Sequence, residues 1–259
     1  MIEKKIHYCW FGGKPFGEKE KKCIESWKKF CKDYEIIEWN ESNCDLTINN
    51  FVKQAYERKM YSFVSDYFRC YAVYNHGGIY LDTDVEIIKP LDDLLSNNAY
   101  FGIENNSEKY FVSSGLGFGC EKNHFVLKDL LDRYDEMNFI DENGKERNIP
   151  CPKLETEVLK KYGFNDKLNE IQKLNDITIY SSEYFSPKSY ETGKLEITKN
   201  SYSIHHFSMS WVEEDWRELK EKEWQNIEKY GEEKSQKKIK RLRFWTRVKR
   251  KIRKIFTGK

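Results

Sequence analysis

The sequence predicts an α/β fold with a mostly parallel central sheet and additional helices at its C-terminal end. Strand-like and helix-like patterns alternate through the first third of the chain, and glycines and prolines separate them. The 259 residues, of which 39% are hydrophobic, are enough to bury a full core. We therefore expect one domain over residues 1–233, followed by a basic helix over residues 234–259.

The first two strands and the helix between them predict a βαβ unit. An aromatic-rich strand over 5–11 ends at a Gly-Gly turn, apolar residues recur at helical spacing over 18–31, and residues 35–39 form a short second strand. The later predicted elements are a helix at 59–75, a strand at 79–81, a short helix at 91–96, a strand at 100–103, a helix at 125–134, a loop at 138–152, a helix at 154–162, strands at 177–180 and 202–207, and an acidic helix that ends near residue 230.

The helix predicted at 59–75 carries the first candidate functional residues. Apolar and aromatic side chains cover most of its circumference, so the helix should be buried. Asp66 and Arg69 are three positions apart and lie together on its remaining face. A buried carboxylate and a buried guanidinium are costly unless they pair or take part in chemistry. A purely structural ion pair is therefore the alternative to a functional one.

Two aspartates follow the next strand. A glycine pair ends the helix, and the strand at 79–81 runs directly into Asp82-Thr83-Asp84. Residues at i and i+2 of an extended chain point to the same side, which suits a divalent cation that bridges a diphosphate. The tripeptide alone also fits a solvated turn. Because the buried helix leads straight into it, we expect both polar sets to meet at one end of the sheet.

Further candidates lie far away in the sequence. Trp10 ends the first strand beside glycines that let a ligand approach the backbone, although a core tryptophan would give the same pattern. The closing strand holds His205 and His206, of which only one can point into a given site, because alternate strand residues face opposite ways. The glycine-spaced stretch 115–119 lacks the Lys-Ser/Thr of a P-loop, and we interpret it as a strand and turn near an acceptor groove.

Charge is distributed unevenly along the chain. Residues 234–259 carry thirteen Lys or Arg and no acid, whereas residues 1–233 hold 32 basic and 43 acidic side chains. Apolar residues recur every three or four positions along 237–256, which predicts an amphipathic helix. We expect this helix to bind an anionic membrane surface. A helix docked on the acidic body is the main alternative. Nucleic acid is not an expected partner, because an acidic body repels its phosphates.

Cysteine usage and hydropathy bear on location. The seven cysteines are an odd number without a C-x-x-C pair, so neither a disulfide framework nor a zinc site is indicated. No apolar stretch approaches the roughly 20 residues of a membrane-spanning helix, and charged residues follow the first two positions. We expect a cytoplasmic protein that is peripheral at the inner face of the membrane.

Several of these stretches together resemble glycosyltransferase family 32, whose sugar-binding region contains an Asp-x-Asp motif. That family includes initiating mannosyltransferases and bacterial capsular polysaccharide enzymes, and it is related to glucosylating toxin domains. The resemblance covers about residues 4–211 and implies a GT-A fold, a Rossmann-like nucleotide-sugar-binding architecture. The stretches that carry it are Ser65-Asp66-x-x-Arg69, His76-Gly77-Gly78-Ile79-Tyr80-Leu81-Asp82-Thr83-Asp84, the opening strand at 6–13 and the closing segment at 203–211.

The resemblance implies donor-binding roles by position. Trp10 would stack on the nucleotide base, and Asp66 and Arg69 would hold the donor sugar and its diphosphate side. Ser210 and Trp211, at the end of the matching region, would close over the departing diphosphate. The donor-binding residues that we expect are Trp10, Phe11, Gly12, Asp66, Arg69, Tyr80, Asp82, Ser210 and Trp211.

The resemblance also implies a metal centre. Asp84 would bind Mn²⁺ or Mg²⁺ directly, and Asp82 would contact ribose and sugar hydroxyls, or the metal through water. His206 would be a further ligand, with His205 as the alternative. Cleavage of the anomeric C–O bond leaves a nucleoside diphosphate, whose added charge the metal and Arg69 would neutralise. The catalytic residues that we expect are therefore Asp82, Asp84 and Arg69.

The expected function is a metal-dependent, retaining transfer of a hexose in surface polysaccharide synthesis. The donor is a nucleotide sugar, a UDP-sugar by family likeness, and the acceptor is a saccharide or a lipid-linked saccharide. One alternative is a metal-dependent glycoside or phosphodiester hydrolase, which would explain the acids but not Trp10 or the Gly-Gly-x-Tyr sequence before them. Another is a non-catalytic adaptor that its basic helix holds at membranes.

Overall fold

The structure is a computed structural model that describes residues 1–104, 109–210 and 212–257. The chain divides into two compact units. The first consists of Met1–Pro187 and Ile197–His206, and the second of Lys188–Glu196 and Phe207–Lys259.

The first unit contains the sheets and most of the helices of the described chain. Its helices are α1 (Glu18–Phe30), α2 (Asn50–Glu57), α3 (Tyr61–His76), α4 (Phe125–Asp135), α5 (Cys151–Lys160) and α6 (Ser182–Phe185), with short 3₁₀ turns at Asp92–Ser96 and Ser114–Leu116. Its strands are β1 (Lys5–Cys9), β2 (Glu35–Trp39), β3 (Gly78–Tyr80), β4 (Val85–Ile87), β5 (Ala99–Glu104), β6 (Phe111–Val112), β7 (Phe118–Cys120), β8 (Gln172–Leu174), β9 (Ile177–Tyr180) and β10 (Ser203–His205).

The central sheet has the strand order β2-β1-β3-β7-β5-β9-β8, and β6 pairs with β5. β1 is parallel to both of its neighbours, and β5 is parallel to β9. β6, β7 and β8 run antiparallel to the strands beside them. Since β1, β2, β3, β5 and β9 share one direction, their carboxyl ends meet at one edge. The predicted α/β class with a mostly parallel central sheet and additional C-terminal helices is confirmed.

Side chains alternate between the two faces of the sheet. Ile79 faces a core that includes Trp27 of α1, whereas Tyr80 faces a second core that contains most of α3. The helix α3 is buried along much of its length, as its apolar pattern predicts, and Asp66 and Arg69 are buried with it. The helix that leads into β3 thus carries two charged side chains inside the protein.

The structure differs from the predicted elements in two main places. The closing strand, predicted at 202–207, is shorter, and it pairs antiparallel with β4 in a separate two-stranded sheet. The sequence does not predict β4, because three residues are too few to show a strand pattern. α5 begins within the loop predicted at 138–152, because Pro152 fits the first turn of a helix. The short elements α2, α6, β6 and β8 are likewise absent from the predicted set.

The second unit contains α7 (Glu214–Tyr230) and α8 (Glu232–Thr257). Arg243 of α8 donates to both carboxylate oxygens of the buried Glu223 on α7, at 2.6 and 2.8 Å. One face of the basic helix therefore packs against an acidic helix of the same unit. The domain boundary at residue 233 stays a prediction. Among the described residues, no helix combines the length and apolar character that crossing a bilayer requires.

We expect Trp27→Phe to lower the free energy of unfolding by about 2–4 kcal/mol, because it combines a small cavity with a lost buried hydrogen bond. Trp27 is fully buried, and its indole N–H donates to Val85 O at 2.7 Å. Urea unfolding would measure the change. Phe30→Leu on the same helix is the control, since Phe30 is only partly buried. Equal losses in the two variants would contradict a specific role for this hydrogen bond.

Candidate metal and donor site

The candidate residues converge on the carboxyl edge of the central sheet. β1 and β3 are parallel neighbours with His7 opposite Tyr80, so Trp10 after β1 and Asp82 after β3 emerge at the same edge. The backbone N–H of Leu81 continues this pairing by donating to His7 O at 3.0 Å. In open α/β sheets, ligands bind in the crevice outside such strand ends. The fold therefore brings residues from separate parts of the chain to one edge of the sheet.

Arg69 lies at the centre of the buried part of the site. One terminal nitrogen of its guanidinium is 3.1 Å from Asp66 Oδ1 and 3.0 Å from Asp82 Oδ1. The other donates to Ser114 Oγ at 3.0 Å and contacts Cys151 Sγ at 3.4 Å. The side chain of Arg69 is only 4% exposed. Asp66 and Arg69, which were predicted to share one face of the helix, are thus paired, and the same guanidinium also binds the first aspartate of the motif.

The electrostatics of this group follow from its burial. Burial raises the pKa of Asp66 to about 6, although the guanidinium beside it acts in the opposite direction. Burial also raises the pKa of Asp82, again against the attraction of Arg69. The carboxylates Asp82 and Asp66 outweigh the burial of Arg69 and hold its pKa above the ordinary value. The guanidinium therefore remains charged and orients the carboxylates of Asp66 and Asp82 from its buried position.

Two side chains hold Asp82, and a glycine leaves room for it. The hydroxyl of Tyr80 donates to Asp82 Oδ1 at 2.8 Å, so Tyr80 orients the carboxylate from within the core. The same oxygen accepts from Arg69. A Cβ atom added at Gly115 would lie 2.8 Å from Asp82 Oδ2, so the glycine leaves room for this carboxylate. The predicted strand and turn at 115–119 are present, and the first of their glycines borders the site.

Asp82, Asp84 and His205 form a candidate metal centre. One ligand atom from each lies within 4.8 Å of the others. Two carboxylates and an imidazole fit Mn²⁺ and related divalent cations. Burial disfavours the charged form of His205, but Asp84, at 3.2 Å, and Asp82 outweigh it and raise the pKa of His205. A cation would replace the proton on His205, so its affinity should increase with pH.

The family resemblance implied His206 as the metal ligand, but the side chain of His206 lies beside Glu86 and not beside Asp84. Its Nε2 lies 2.8 Å from Glu86 Oε2, and its backbone N–H donates to Asp84 O at 3.0 Å. The pairing of β10 with β4 explains this placement, because it sets His205 opposite Val85 and turns the next side chain to the other face. The geometry therefore favours His205, the alternative ligand, over His206.

The residues after β1 divide between the edge and the core. Trp10 is half-buried, and its ring packs on Phe16 with 4.6 Å between ring centroids. Phe11 is buried, with its ring 5.7 Å from that of Phe68, so its side chain has a packing role. Gly12 has φ +90°, and a Cβ atom there would lie 2.4 Å from the ring of Tyr61. The ring of Tyr61 thus lies close to Gly12, and donor contact by Trp10, Phe11 and Gly12 stays a prediction.

Two further predicted donor-binding residues, Ser210 and Trp211, do not lie in the first compact unit. Ser210 belongs to the second compact unit. Trp211 lies outside the described residues. Their expected roles in closing over the diphosphate therefore stay predictions.

The sequence did not single out three other residues near the site. Glu104 ends β5 at the same sheet edge, and burial raises its pKa. Ser114 contacts Arg69, and the fully buried Glu155 accepts hydrogen bonds from Ser114. The signal for Glu155 was weak: a single acid on the apolar face of an amphipathic helix, in a part of the chain that departs from the family pattern. For Glu104 and Ser114 the sequence gives no comparable signal.

Comparison with known protein families finds a match over a segment that carries part of this site. Residues 17–101 match the model described as a glycosyltransferase sugar-binding region containing DXD motif. The match includes Asp66, Arg69, Asp82 and Asp84. No curated protein matches the sequence. Residues 17–101 are therefore similar to the sugar-binding region of glycosyltransferases, and the predicted enzyme class, a glycosyltransferase, is confirmed. Membership of family 32 and a capsular role stay predictions.

Two solved glycosyltransferase structures are similar to the chain. The PaToxG glycosyltransferase is 18% identical with a TM-score of 0.46, and the similarity covers 62% of this chain and 69% of that one. A glycosyltransferase involved in the glycosylation of the major capsid of PBCV-1 is 14% identical with a TM-score of 0.44, and the similarity covers 82% of this chain and 96% of that one.

We expect His205→Asn to weaken Mn²⁺ binding roughly tenfold or more, because it removes one ligand of the candidate centre. His206→Asn is the matched control, since its imidazole contacts Glu86 instead. Isothermal titration with Mn²⁺ at pH 6 and pH 8 would measure both variants. The wild-type affinity should be higher at pH 8. Weaker binding in His206→Asn alone would contradict the assignment.

Proposed function

We propose that the protein is a metal-dependent glycosyltransferase that moves a hexose from a nucleotide sugar to a saccharide or lipid-linked saccharide in surface polysaccharide synthesis. A UDP-sugar is the proposed donor. The observation that supports this most directly is the grouping of Asp82, Asp84 and His205 at the carboxyl edge of a mostly parallel sheet. Both aspartates lie within the matched sugar-binding region.

The residues of the site can divide the chemistry between them. Cleavage of the anomeric C–O bond places negative charge on the departing nucleoside diphosphate. Bound Mn²⁺ or Mg²⁺ would act as a Lewis acid on that charge. Asp84 and His205 would hold the cation, and Asp82 would contact ribose and sugar hydroxyls, or the cation through water. Arg69 keeps Asp82 in place through a charged hydrogen bond.

The stereochemistry and the remaining donor contacts are also part of the proposal. Trp10 stacks on the nucleotide base, and Ser210 and Trp211 close over the diphosphate. The acceptor hydroxyl attacks on the face that the diphosphate leaves, so the anomeric configuration is retained. This geometry requires no dedicated strong base.

A metal-dependent hydrolase is the alternative, because the same acids could activate water. A two-metal phosphodiesterase would need ligands for a second ion. Within the described ranges, Asp82, Asp84 and His205 are the one group with metal-ligand spacing. The matched sugar-binding region also favours transfer from a nucleotide sugar over hydrolysis of a polymer.

We expect Asp84→Ala to abolish donor turnover, because it removes a carboxylate that would bind the cation. The protein would be incubated with Mn²⁺ and a panel of nucleotide sugars, and release of the nucleoside diphosphate would be measured. Glu86→Ala is the matched control, since Glu86 lies two residues along the chain and pairs with His206. If the wild-type protein turns over none of the donors in the panel, transfer is contradicted. If Asp84→Ala and Glu86→Ala lose equal activity, the role of Asp84 is contradicted.

We further propose that α8 binds an anionic membrane surface, which would place the enzyme at the inner face of the membrane. Its contacts within the second unit leave one face available. Arg243, Arg250 and Arg253 pair with acids of α7 and of the residue before it. Phe244 and Trp245 are 59% and 51% exposed, among basic side chains. Exposed aromatic rings between cations suit the interface of an anionic bilayer.

We expect Phe244→Ser combined with Trp245→Ser to weaken binding to vesicles that contain phosphatidylglycerol about tenfold or more, because the variant loses buried apolar area at the interface. Sedimentation with vesicles would measure binding, with pure phosphatidylcholine vesicles for comparison. Phe125→Ser is the control, since Phe125 is also exposed but lies on α4. Unchanged binding after removal of 234–259 would contradict the membrane proposal.

A further inference from the structure

We infer that Glu155, a buried carboxylate on α5, is a positioning residue for the donor site. Through Ser114 it fixes the guanidinium of Arg69, and through Arg69 it fixes Asp82. The functional consequence rests on the proposed donor chemistry, whereas the positioning itself does not. The part of the chain that holds Glu155 lies outside the matched sugar-binding region, which ends at residue 101.

The contacts of Glu155 concentrate on one residue. Its Oε2 accepts from the backbone N–H of Ser114 at 2.7 Å, and its Oε1 accepts from the hydroxyl of the same serine. Glu155 has no exposed surface, so its charge cannot be satisfied by bulk water. Burial raises its pKa to about 7, while Arg69 and both hydrogen bonds from Ser114 act in the opposite direction. A buried acid at this position is costly, and the serine and the guanidinium offset that cost.

Hydrogen-bond direction makes this chain of contacts specific. A guanidinium can only donate, so the 3.0 Å contact between Arg69 and Ser114 uses a lone pair of the serine oxygen. The single hydroxyl hydrogen of Ser114 is then free to point at Glu155. Glu155 must therefore accept twice from Ser114, once from the backbone and once from the side chain. Glutamine offers one acceptor oxygen in the same shape, so it must turn an N–H toward one of these donors.

The other end of Arg69 reaches the donor site. Its second terminal nitrogen donates to Asp82 Oδ1 at 3.0 Å, and Asp66 shares that nitrogen. An arginine whose terminal nitrogens are both engaged cannot rotate without breaking contacts at both ends. Loss of the Ser114 contact should therefore loosen Asp82. Positioning partners of this kind typically change activity by about 10–100-fold.

α5 also offers a matched control. Thr156, the next residue, is buried, and its hydroxyl accepts from the backbone N–H of Val112 at 2.9 Å. Thr156→Val removes a buried hydrogen bond between the same two segments and leaves Arg69 and Ser114 untouched. A merely structural role for Glu155 predicts that Glu155→Gln and Thr156→Val behave alike.

Two measurements on the full chain test the inference. The first is the side-chain NMR spectrum of arginine-labelled protein, in which Arg69→Lys identifies the Arg69 signals. A fixed guanidinium gives separate N–H signals. In Glu155→Gln, rotation of the Arg69 guanidinium should average these signals, whereas in Thr156→Val they should stay separate. The second is turnover of the donor found in the panel, where Glu155→Gln should lower kcat/KM about 10–100-fold and Thr156→Val should change it little. Ser114→Ala breaks the same contact and replaces Glu155→Gln if that variant does not fold.

The outcomes separate this inference from the proposed function. If Glu155→Gln or Ser114→Ala matches Thr156→Val in both measurements, the positioning role is wrong. The double variant of Glu155→Gln with Ser114→Ala tests whether the two residues act together. If its fold loss of kcat/KM equals the product of the losses in the two single variants, the residues act independently and the inference is also wrong. If wild-type protein turns over no donor while the NMR difference persists, the positioning stands and the proposed function fails.

Discussion

The buried guanidinium of Arg69 is the interaction on which the site depends. A charge at this depth is stable only with close partners, and Asp66, Asp82 and Ser114 all supply them. The contacts link α3, the end of β3 and the turn after β6. Removal of one partner would leave a buried charge uncompensated, so this group constrains how three parts of the fold can meet. A carboxylate that could hold a donor is thereby fixed at the sheet edge before any ligand arrives.

A second constraint is the register of the small sheet. β4 follows Asp84 directly, and β10 pairs with it so that His205 lies opposite Val85. A shift of one residue would exchange His205 for His206. The metal centre that we propose therefore depends on backbone pairing between segments more than a hundred positions apart. Three paired residues on each strand are enough to set this register, which places one imidazole beside two carboxylates.

The sequence predicted much of the fold because its main elements are long or strongly patterned. The apolar circumference of α3 predicted its burial, and the order of strands and helices predicted the mostly parallel sheet. Asp66, Arg69 and Asp82 were predicted to meet because one helix and one strand join them. His205 could not be chosen over His206, since the choice depends on a partner strand too short to predict. Glu155 could not be assigned a role because its contacts with Ser114 are purely tertiary.

The metal centre that we propose holds a divalent cation on Asp84 and His205 at the donor site, with Asp82 beside it. Anomalous diffraction from crystals grown with Mn²⁺ and UDP locates that ion directly. We expect an anomalous peak within bonding distance of Asp84 and His205, with the diphosphate on its open side. A peak between Glu86 and His206, or no peak at the aspartates when UDP is bound, would contradict it.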